Sequence, residues 1–417
     1  MAPTPARSRA LTVVLSALLL SLAACATATD ESPPAAAGGG AGDNLADRCV
    51  DDYEQGVDYF PDKVEFEYAD GVSVRYEDHY KVVEVARPDD PDADPLRYVL
   101  SQCGTPEPDV TGELAEAQVI EVPATDVASL TTTNLPHFDV LGRVDDLAAV
   151  ASPSLVSTPA VRRAVAAGAV ESAGSGTEPD LESLIALSPD LLLLDGFGDT
   201  VLDDVERLVD AGVPTAVNAD FNETTLLGRA EWLKYTALFL NAEQEAAEAF
   251  ADIEGDYREV AAAAADAEEQ PSVLFNLPYQ GTWYVPGGDS YLAAAVDDAG
   301  GEYVFGDDTS TGSLELDVES VLAEAADADV WLQAGSVHGS LDDLLAQDER
   351  FAEFEAFQDG RVWASDERTT PGGGNAVYET AYTRADLFLA DLVEILHPEL
   401  SDHELVFFGQ VPDEPSS

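Results

Sequence analysis

Two patterns of hydrophobic and polar positions divide the chain. Between residues 63 and 102, apolar and polar residues alternate in short runs, a period typical of strands with one buried face. From about residue 113, short apolar runs alternate with stretches in which apolar residues recur at helical spacing. This order is typical of α/β structure with parallel strands. The sequence therefore predicts a small β unit followed by α/β lobes.

The alternating region predicts an antiparallel β unit. Its apolar residues occupy every second position in the runs 64–68 and 72–76, and apolar and polar residues also alternate, less regularly, in the run 80–85. Asp70-Gly71 lies between the first two runs and is a typical hairpin turn. Proline-rich stretches at 88–95 and 106–108 then separate this unit from the α/β region.

The next region predicts an N-terminal α/β lobe. Leu191–Leu194 is apolar at every position, as expected for a parallel strand that is buried on both faces. Gly212 ends a predicted helix at 202–211, and a predicted strand follows at 214–217. The other predicted elements are a strand at 118–123, the start of a helix at 135–141, and helices at 161–167 and 181–187.

Strand patterns are missing between about 223 and 268, where the sequence predicts two helices. The first covers 226–240, and the second covers 242–267 with apolar Phe250, Ile253 and Tyr257 at helical spacing. Alternation of strands and helices resumes after this stretch, which predicts a second lobe. Its predicted elements lie at 272–275, 290–299, 318–325, 329–333, 341–345, 362–363 and 385–396.

These patterns predict the domain organisation. The predicted segments are a signal peptide at 1–25, a tether at 26–47, a β subdomain at 48–112, an N-terminal lobe at 113–222, a helical linker at 223–268, a C-terminal lobe at 269–410 and a tail at 411–417.

The charge balance limits the classes of partner. The 417 residues include 82 acidic and 19 basic residues, which give a formal net charge of -63. Nucleic acid and anionic membrane surfaces would repel such a chain, so the sequence argues against both as partners. Two explanations for the acidity are capture of cations and a solvated surface that keeps an exported protein soluble in salty surroundings. A hydrophobic content of 46% supports a globular protein.

The N-terminus predicts export and a lipid anchor. Arg7 and Arg9 precede the apolar run 10–22, which has the length of a signal peptide. The run ends in Leu22-Ala23-Ala24-Cys25, the pattern of a bacterial lipoprotein signal, in which lipidation of Cys25 follows cleavage. An ordinary cleavage site beside a chance cysteine is the alternative. We therefore expect an extracytoplasmic protein that is lipid-anchored to the cell membrane.

Export also gives a meaning to the other two cysteines. Cys49 and Cys103 would form a disulfide in an oxidising compartment. Two buried thiols and a metal-binding pair are the alternatives, although neither cysteine has a Cys or His neighbour at ligand spacing.

Two segments resemble a known family. The stretch 178–191, Glu-Pro-Asp-Leu-Glu-Ser-Leu-Ile-Ala-Leu-Ser-Pro-Asp-Leu, is similar to the N-lobe signature of the substrate-binding lipoproteins of ABC importers for iron-siderophores and cobalamin. The stretch 279–291 with Asp298-Ala-Gly-Gly301 is similar to the opening of the C-lobe in that family. The resemblance covers about 113–410 and implies two Rossmann-like lobes joined by a single long helix, the class III architecture. The β unit before it is not part of the minimal family pattern.

The resemblance also implies a role for two glutamates. Asp-x-Glu-Ser occurs at 180–183 and again at 317–320, once in each predicted lobe. In the family, a glutamate of each lobe binds arginines of the membrane permease, and Glu182 and Glu319 occupy the matching positions. The alternative is that both are ordinary glutamates near helix N-termini, where the helix dipole favours them.

Ligand-binding candidates come from the expected cleft between the lobes, at the carboxyl ends of the strands. Aromatic faces there would suit a macrocycle or a catecholate, and an arginine would suit an anionic group. The candidates are Asn134, His137, Phe197, Trp283, Tyr284, Tyr291, Arg368 and Asn375.

Several candidates have a simpler interpretation. Trp283 or Tyr284 would pack under its loop, and the glycines at 372–374 would form a flexible turn, since the Lys and Ser/Thr of a phosphate loop are missing. His137 would be a histidine at a helix start instead of a ligand to bound iron or cobalt. The five histidines are scattered, so the sequence predicts no metal site made by the protein alone.

The sequence predicts a receptor without enzymatic activity. It would capture a ferric siderophore or cobalamin between its lobes, with no cofactor of its own, and deliver it to an ABC permease and its ATPase. A haem-binding protein, an acidic extracellular hydrolase of the glycosidase type and a surface-layer interaction module are the alternatives. No Gly-x-Ser-x-Gly or His-Glu-x-x-His motif supports a hydrolase, and an interaction module leaves the paired lobe motifs unexplained.

Overall fold

The computed structural model describes residues 43–90, 93–175, 178–179, 181–197, 201–333 and 339–414. Cys25 and the predicted signal peptide lie outside the described residues, so lipidation of Cys25 stays a prediction. None of the helices in the described part of the chain has both the length and the apolar composition that crossing a bilayer requires.

The N-terminal β unit contains one sheet in the strand order β1-β2-β3-β4. Strands β1 to β3 pair antiparallel, as the alternating pattern predicts, whereas β3 and β4 pair parallel. Its strands are β1 (Val72–Tyr76), β2 (Tyr80–Val85), β3 (Leu96–Gln102) and β4 (Gln118–Val122).

The N-terminal lobe is built on a parallel sheet in the order β11-β10-β5-β6-β7. The strand β10, which lies between β11 and β5, is buried at its first four positions, as its continuous apolar run predicts. The elements of this lobe are β5 (Val127–Ser129), α1 (Leu135–Val140), β6 (Leu147–Val150), α2 (Pro159–Ala167), β7 (Glu171–Ser172), β8 (Gly174–Ser175), β9 (Glu178–Pro179), α3 (Leu181–Leu187), β10 (Leu191–Asp195), α4 (Val201–Asp210) and β11 (Thr215–Asn218).

Two helices, α5 (Leu226–Leu240) and α6 (Glu243–Ala264), follow the N-terminal lobe. Every residue of α5 is buried, whereas α6 buries Phe250, Ile253 and Tyr257 along one stripe, as their helical spacing predicts. Asn241 ends α5 with a left-handed backbone at φ 51°, which turns the chain into α6. The helix α6 then leads into the second lobe.

The C-terminal lobe has a second sheet in the order β15-β12-β17-β18-β19, parallel except for the last strand, and a small sheet in the order β13-β14-β16. Its elements are β12 (Ser272–Phe275), β13 (Pro278–Tyr279), β14 (Thr282–Pro286), α7 (Tyr291–Asp298), β15 (Glu302–Tyr303), β16 (Ser313–Leu316), α8 (Val318–Ala325), β17 (Val330–Gln333), α9 (Leu341–Gln347), α10 (Glu355–Gln358), β18 (Val362–Ala364), α11 (Thr380–Thr383), α12 (Ala385–Leu396) and β19 (Gly409–Gln410).

The predicted fold class is confirmed, since two α/β lobes with parallel sheets are joined through a long helix. One hydrophobic core runs through both lobes, because Leu191 and Leu193 of the first sheet belong to the same buried cluster as Val273 and Phe275 of the second. A shared core favours small movements between the lobes over wide ones.

The prediction of a strand at 64–68 is wrong. This segment is not a strand, and the backbone donors at its end are satisfied by a side chain instead of a neighbouring strand. The carboxylate of Glu231 on α5, which is fully buried, accepts hydrogen bonds from the backbone N–H groups of Glu67 at 3.0 Å, Tyr68 at 2.7 Å and Ala69 at 2.8 Å. The predicted hairpin at Asp70-Gly71 is wrong for the same reason, since the first hairpin joins β1 to β2 at residues 77–79.

The N-terminal β unit covers an edge of the first lobe. The strand β4, which the sequence assigns to the lobe, belongs to the sheet of the β unit. The side chain of Gln118 accepts from Thr215 N at 2.8 Å and donates to Thr215 O at 2.6 Å, and Tyr98 Oη accepts from Val217 N at 3.0 Å. Thr215 and Val217 lie on β11, the edge strand, so the β unit satisfies backbone groups that would otherwise remain open to pairing.

A disulfide joins Cys49 to Cys103, with an S–S distance of 2.12 Å. The predicted pairing is therefore present in the structure. It links the segment before β1 to the end of β3 and thereby closes the β unit covalently.

Candidate functional site

The carboxyl ends of β5, β10 and β11 carry a connected set of polar side chains. Asn218 Nδ2 donates to Asn134 Oδ1 at 2.6 Å, and Asn218 Oδ1 accepts from the backbone of Asp220 at 2.9 Å. Asp220 Oδ1 lies 3.7 Å from Nη2 of Arg229, which is on the first turn of α5. All four side chains are at least 95% buried. The network therefore runs beneath the strand ends from β5 to α5.

Arg229 is the point where this network meets the C-terminal lobe. Its guanidinium carbon lies 3.5 Å from the ring centre of Tyr382 on α11 and 4.5 Å from that of Tyr291 on α7. The two tyrosine rings pack edge to face, with centres 5.9 Å apart. A cation over an aromatic face gains more when water is excluded, and Arg229 is only 5% exposed. The lobes thus meet here through a charge and two rings.

A second acidic group, Asp195, lies at the end of β10. Its carboxylate accepts from Thr131 Oγ1 at 3.2 Å and from the backbone of Phe197 at 2.9 Å. The Phe197 ring is 80% exposed and touches Phe221 edge to face at 5.6 Å. The edge of the first lobe therefore presents an apolar face directly beside the buried polar network.

Burial changes the charge preference of the two acids. It raises the pKa of Asp220 to about 6, a shift that the charge of Arg229 opposes, and it also raises the pKa of Asp195. The two carboxyl groups repel each other, which raises the pKa of Asp220 further. The charge of Asp220 that faces Arg229 is therefore lost as pH falls through about 6.

These shifts predict how stability depends on pH. An aspartate in the unfolded chain titrates at ~3.9, so folding favours the protonated form of Asp220. Protonated Asp220 therefore contributes to the free energy of unfolding at low pH, and this contribution is lost as pH rises through about 6. The variant Asp220→Asn lacks this titration. We expect its unfolding free energy, measured by urea denaturation, to gain roughly 2–3 kcal/mol relative to wild type between pH 4 and pH 7.5. The exposed Asp145→Asn is the control, and parallel pH profiles for Asp220→Asn and wild type would contradict the assignment.

The structure brings together Asn134 and Tyr291, which the sequence predicted as ligand-binding residues, with Phe197 beside them. Asn134 lies in the buried network, Tyr291 stacks on Arg229, and Phe197 lies at the end of β10. Pro88 of the N-terminal β unit adds to this edge, because a Cβ atom at Gly196 would lie 3.0 Å from the Pro88 side chain. The placement of these residues supports a site at the lobe boundary.

Two predicted ligand-binding residues are corrected. Trp283 is fully buried in the core of the C-terminal lobe, where it packs against Trp331 and Phe351, and its indole N–H donates to Phe275 O at 2.9 Å. Side chains alternate between the two faces of a strand, and the Trp283 side chain is on the inner face of β14, so its ring fills the core. His137 is 2% exposed, and its Nδ1 lies 2.7 Å from Thr236 Oγ1. Burial lowers the pKa of His137 to about 3, so it is a neutral core histidine.

The other three candidates lie apart from this network. Tyr284 is 40% exposed on β14, next to the buried Trp283. Arg368 is exposed on the loop after β18. Asn375 is buried, donates to Ser365 O at 2.7 Å and accepts from Val377 N at 3.0 Å, so its side chain organises its own loop. Ligand contacts by Tyr284 and Arg368 stay predictions.

Sequence reasoning missed Arg229, Asp220 and Tyr382. Asp220 follows the predicted strand at 214–217, so the rule that ligands bind at strand ends could have identified it. The helix 226–240 is apolar except for a few positions, so a charged residue at 229 was itself a signal, because a buried helix carries charges only where they are paired. Tyr382 gives no comparable signal in the sequence.

Some buried polar atoms near these strand ends have no hydrogen-bond partner in the described structure. They include two donors of the network, Nδ2 of Asn134 and Nε of Arg229, together with both side-chain polar atoms of Gln333 at the end of β17. An unpaired buried polar group destabilises a fold by about 1–3 kcal/mol. Such groups are rare in folded proteins, and a functional role is one of the explanations for them.

The two predicted docking glutamates occupy equivalent places in the lobes. Glu182 lies in the first turn of α3 and Glu319 in the first turn of α8, and both are exposed. Glu319 forms an ion pair with Arg350, beside a cavity of about 330 Å³ that is lined in part by Asp317 and Asp348. Both glutamates are therefore accessible on the surface, one on each lobe.

Comparison with known proteins identifies the family. A family model described as periplasmic binding protein matches residues 127–369, from the first strand of the N-terminal lobe to the loop after β18. The chain belongs to this family. The predicted resemblance is thereby confirmed, and the N-terminal β unit precedes the matched region.

Relatives of this periplasmic binding protein include two uncharacterized lipoproteins of Methanocaldococcus jannaschii. It is 26% identical to one of them over 323 residues, which are 74% of each chain. It is 28% identical to the other over 249 residues, which are 55% of this chain and 58% of the relative.

Solved structures share the fold. A periplasmic haem-binding protein from Pseudomonas aeruginosa superposes with a TM-score of 0.55 at 22% identity, covering 70% of this chain and 100% of that one. A periplasmic binding protein from Veillonella parvula also gives 0.55, at 13% identity, covering 79% of this chain and 98% of that one. At these identities the likeness concerns architecture alone.

Family membership fixes the general role of the molecule. It is a solute-binding protein of the kind that supplies ABC importers outside the cytoplasm, as the sequence predicted. Members of the family are binding proteins and not enzymes. Arg229 and its two tyrosines meet at the boundary between the lobes, and domain boundaries are common places for ligand sites in proteins.

Proposed function

We propose that this periplasmic binding protein captures a metal complex, either a ferric siderophore or cobalamin, at the boundary between its lobes. The observation that carries the proposal is the convergence of Arg229, which joins the polar network of the first lobe from the helix α5, with Tyr291 and Tyr382 of the second lobe. A solute bound there would contact both lobes at once, as delivery by a two-lobed receptor requires.

The unpaired atoms of the network indicate the chemistry of the ligand. Nδ2 of Asn134 and Nε of Arg229 are both hydrogen-bond donors, so the missing partner is an acceptor. Siderophores present carboxylate, hydroxamate or catecholate oxygens, and cobalamin presents amide carbonyls and a phosphate. The exposed ring of Phe197 adds an apolar face that suits a catecholate or the corrin edge.

Delivery would use a membrane anchor and a docking surface for the permease. A lipid anchor on Cys25 and the tether at 26–47 would hold the protein at the membrane. Glu182 and Glu319 would bind arginines of the permease, whose ATPase drives transport. Because one glutamate lies on each lobe, binding of both by the permease would depend on how the two lobes are arranged.

A fluorescence titration tests the proposal. The chain with Cys25→Ser is titrated with cobalamin, haem, a ferric catecholate, a ferric hydroxamate and ferric citrate, following its four tryptophans with correction for absorbance. We expect saturable quenching at micromolar concentrations or below by one ferric siderophore or by cobalamin. Saturation by haem alone would replace the proposed ligand, and no response to any compound would contradict a metal complex as the cargo.

Arg229 should determine the affinity for that ligand. A hydrogen bond to a charged group contributes about 1.5–3 kcal/mol, so we expect Arg229→Gln to weaken binding roughly tenfold to hundredfold in the same titration. Arg207→Gln is the control, because Arg207 is exposed on α4 and pairs with Asp204 of the same helix. Equal dissociation constants for Arg229→Gln and wild type, with unchanged circular dichroism, would remove Arg229 from the site.

A further inference from the structure

The loop after β18 reaches across to the N-terminal lobe. We call residues 370–379 the interlobe strut. Thr370 Oγ1 donates to Ser154 O at 2.7 Å, and Ser154 lies on the loop after β6 of the other lobe. The strut is thus a direct link between the lobes, in addition to the helix α6.

The strongest contact of the strut is made by Glu379. Its carboxylate, which is 1% exposed, accepts from Ser157 N at 2.8 Å, from Thr158 N at 2.6 Å and from the hydroxyl of Thr158. Ser157 and Thr158 precede α2, whose own N-cap makes no side-chain hydrogen bond. A carboxylate of the C-terminal lobe therefore satisfies backbone donors at a helix N-terminus of the other lobe, where negative charge is favoured.

The glycines of the strut allow a close approach to the N-terminal lobe. A Cβ atom at Gly374 would lie 1.8 Å from Leu155 O, and one at Gly372 would lie 2.4 Å from Ser154 O. Any other residue at these positions would push the two loops apart. The glycine run thus has a role in lobe contact, which the sequence interpretation of a flexible turn did not include.

We propose that Glu379 is a positioning residue that fixes the angle between the two lobes. In the described structure its carboxylate hydrogen-bonds to Ser157 and Thr158 and not to Arg229, so it acts through α2 and the loop after β6. Charge-assisted hydrogen bonds are about twice as strong as neutral ones, and three of them converge on one buried carboxylate. With Glu379 in place the lobes are joined on the side of α2, and without it they separate there.

The role proposed for Glu379 does not depend on which ligand binds, so it is tested without a ligand. Spin labels are attached to Asp210→Cys on α4 and Ala346→Cys on α9, both exposed, in the full chain with Cys25→Ser, and the interlobe distance distribution is measured by double electron–electron resonance. We expect Glu379→Gln to raise the ratio of separated to joined lobes roughly tenfold or more. Glu367→Gln is the matched control, since its carboxylate lies at the same loop but beside Gly409 of its own lobe.

Two further variants keep the test decisive. Gly374→Ala should separate the lobes in the same direction, because its methyl group would clash with Leu155 O. Thr370→Val, which removes the bond to Ser154, serves if Gly374→Ala does not fold. A shift of the interlobe distance distribution in Glu379→Gln, with circular dichroism equal to that of wild type, supports a positioning role. Loss of stability alone would not produce such a shift in folded protein. Distributions that superimpose on wild type for Glu379→Gln and for either second variant would overturn the proposal.

Discussion

Replacing Glu182 and Glu319 together by arginine should abolish ligand uptake by cells while leaving ligand affinity unchanged. Both side chains are exposed in the first turns of α3 and α8, one on each lobe. If they bind permease arginines, each reversal replaces attraction by repulsion. Loss of a charged contact at an interface weakens binding by about 2–5 kcal/mol, so the double variant should lower uptake by roughly a hundredfold or more.

Arg350 gives Glu319 an ion-pair partner, so we expect the two glutamates to differ in their effect on uptake. It is bonded to Glu319 and also to Asp348, so a permease arginine would compete with Arg350 for the Glu319 carboxylate. The exposed fraction of the Glu319 side chain is 70%, which leaves room for a second partner. We therefore expect Glu182→Arg alone to reduce uptake more than Glu319→Arg alone.

The measurement is uptake of the compound identified by titration, in cells that express each variant at equal levels. Glu206→Arg with Glu324→Arg is the control, because it makes the same charge change at exposed positions, and Glu324 lies on the same helix as Glu319. Normal uptake by the Glu182→Arg and Glu319→Arg double variant would contradict docking. Loss of ligand affinity would show instead that these residues belong to the binding site.

Lys81→Met should destabilise the protein by about 3–5 kcal/mol, the usual result of removing one partner of a buried ion pair. Lys81 and Glu243 are both fully buried, with Nζ and Oε1 2.6 Å apart. Lys81 Nζ also donates to Asn241 Oδ1 at 2.8 Å. Methionine keeps the volume of the side chain but leaves the Glu243 carboxylate with only the hydrogen bond from Asn44 among its described side-chain partners.

The same pair fastens the N-terminal β unit to the lobes, since Lys81 is on β2 and Glu243 begins α6. Unfolding free energies from urea denaturation at pH 7 measure the effect, with Lys63→Met as the exposed control. Lys81→Met with Glu243→Leu should recover most of the loss, because the second change removes the unpaired buried charge. A loss below about 1 kcal/mol for Lys81→Met would show that Glu243 takes up a proton or reaches water instead.

Local periodicity accounts for the parts of the fold that were predicted well. The final helix was predicted at 385–396 and has those bounds in the structure, and β10 and β12 lie where their apolar runs predicted strands. In each case the burial of a residue depends on its own position in a regular element. The run 64–68 alternates in the same way and yet is no strand, because the competing partner, Glu231, is about 160 residues away in sequence.

The residues of the candidate site also divide into those that local sequence position predicts and those that depend on distant partners. Asn134, Phe197 and Tyr291 were predicted from their places at strand ends and helix starts, which is a local criterion. Trp283 met a similar criterion and belongs to the core, because the pairing of β14 with β16 turns its ring inward against Trp331. Glu379 had no local signal, since its role depends on Ser157 and Thr158, more than 200 residues earlier.

The sequence alone determined the class of the protein: an acidic chain with two α/β lobes that belongs to a solute-binding family. Only the tertiary structure decided that Arg229 meets two tyrosines of the other lobe, that the N-terminal β unit covers the edge strand β11, and that the glycine run at 372–374 touches the opposite lobe. The physical reason is that periodicity records which face of an element is buried, whereas the partner on that face is set by chain packing between residues far apart in sequence.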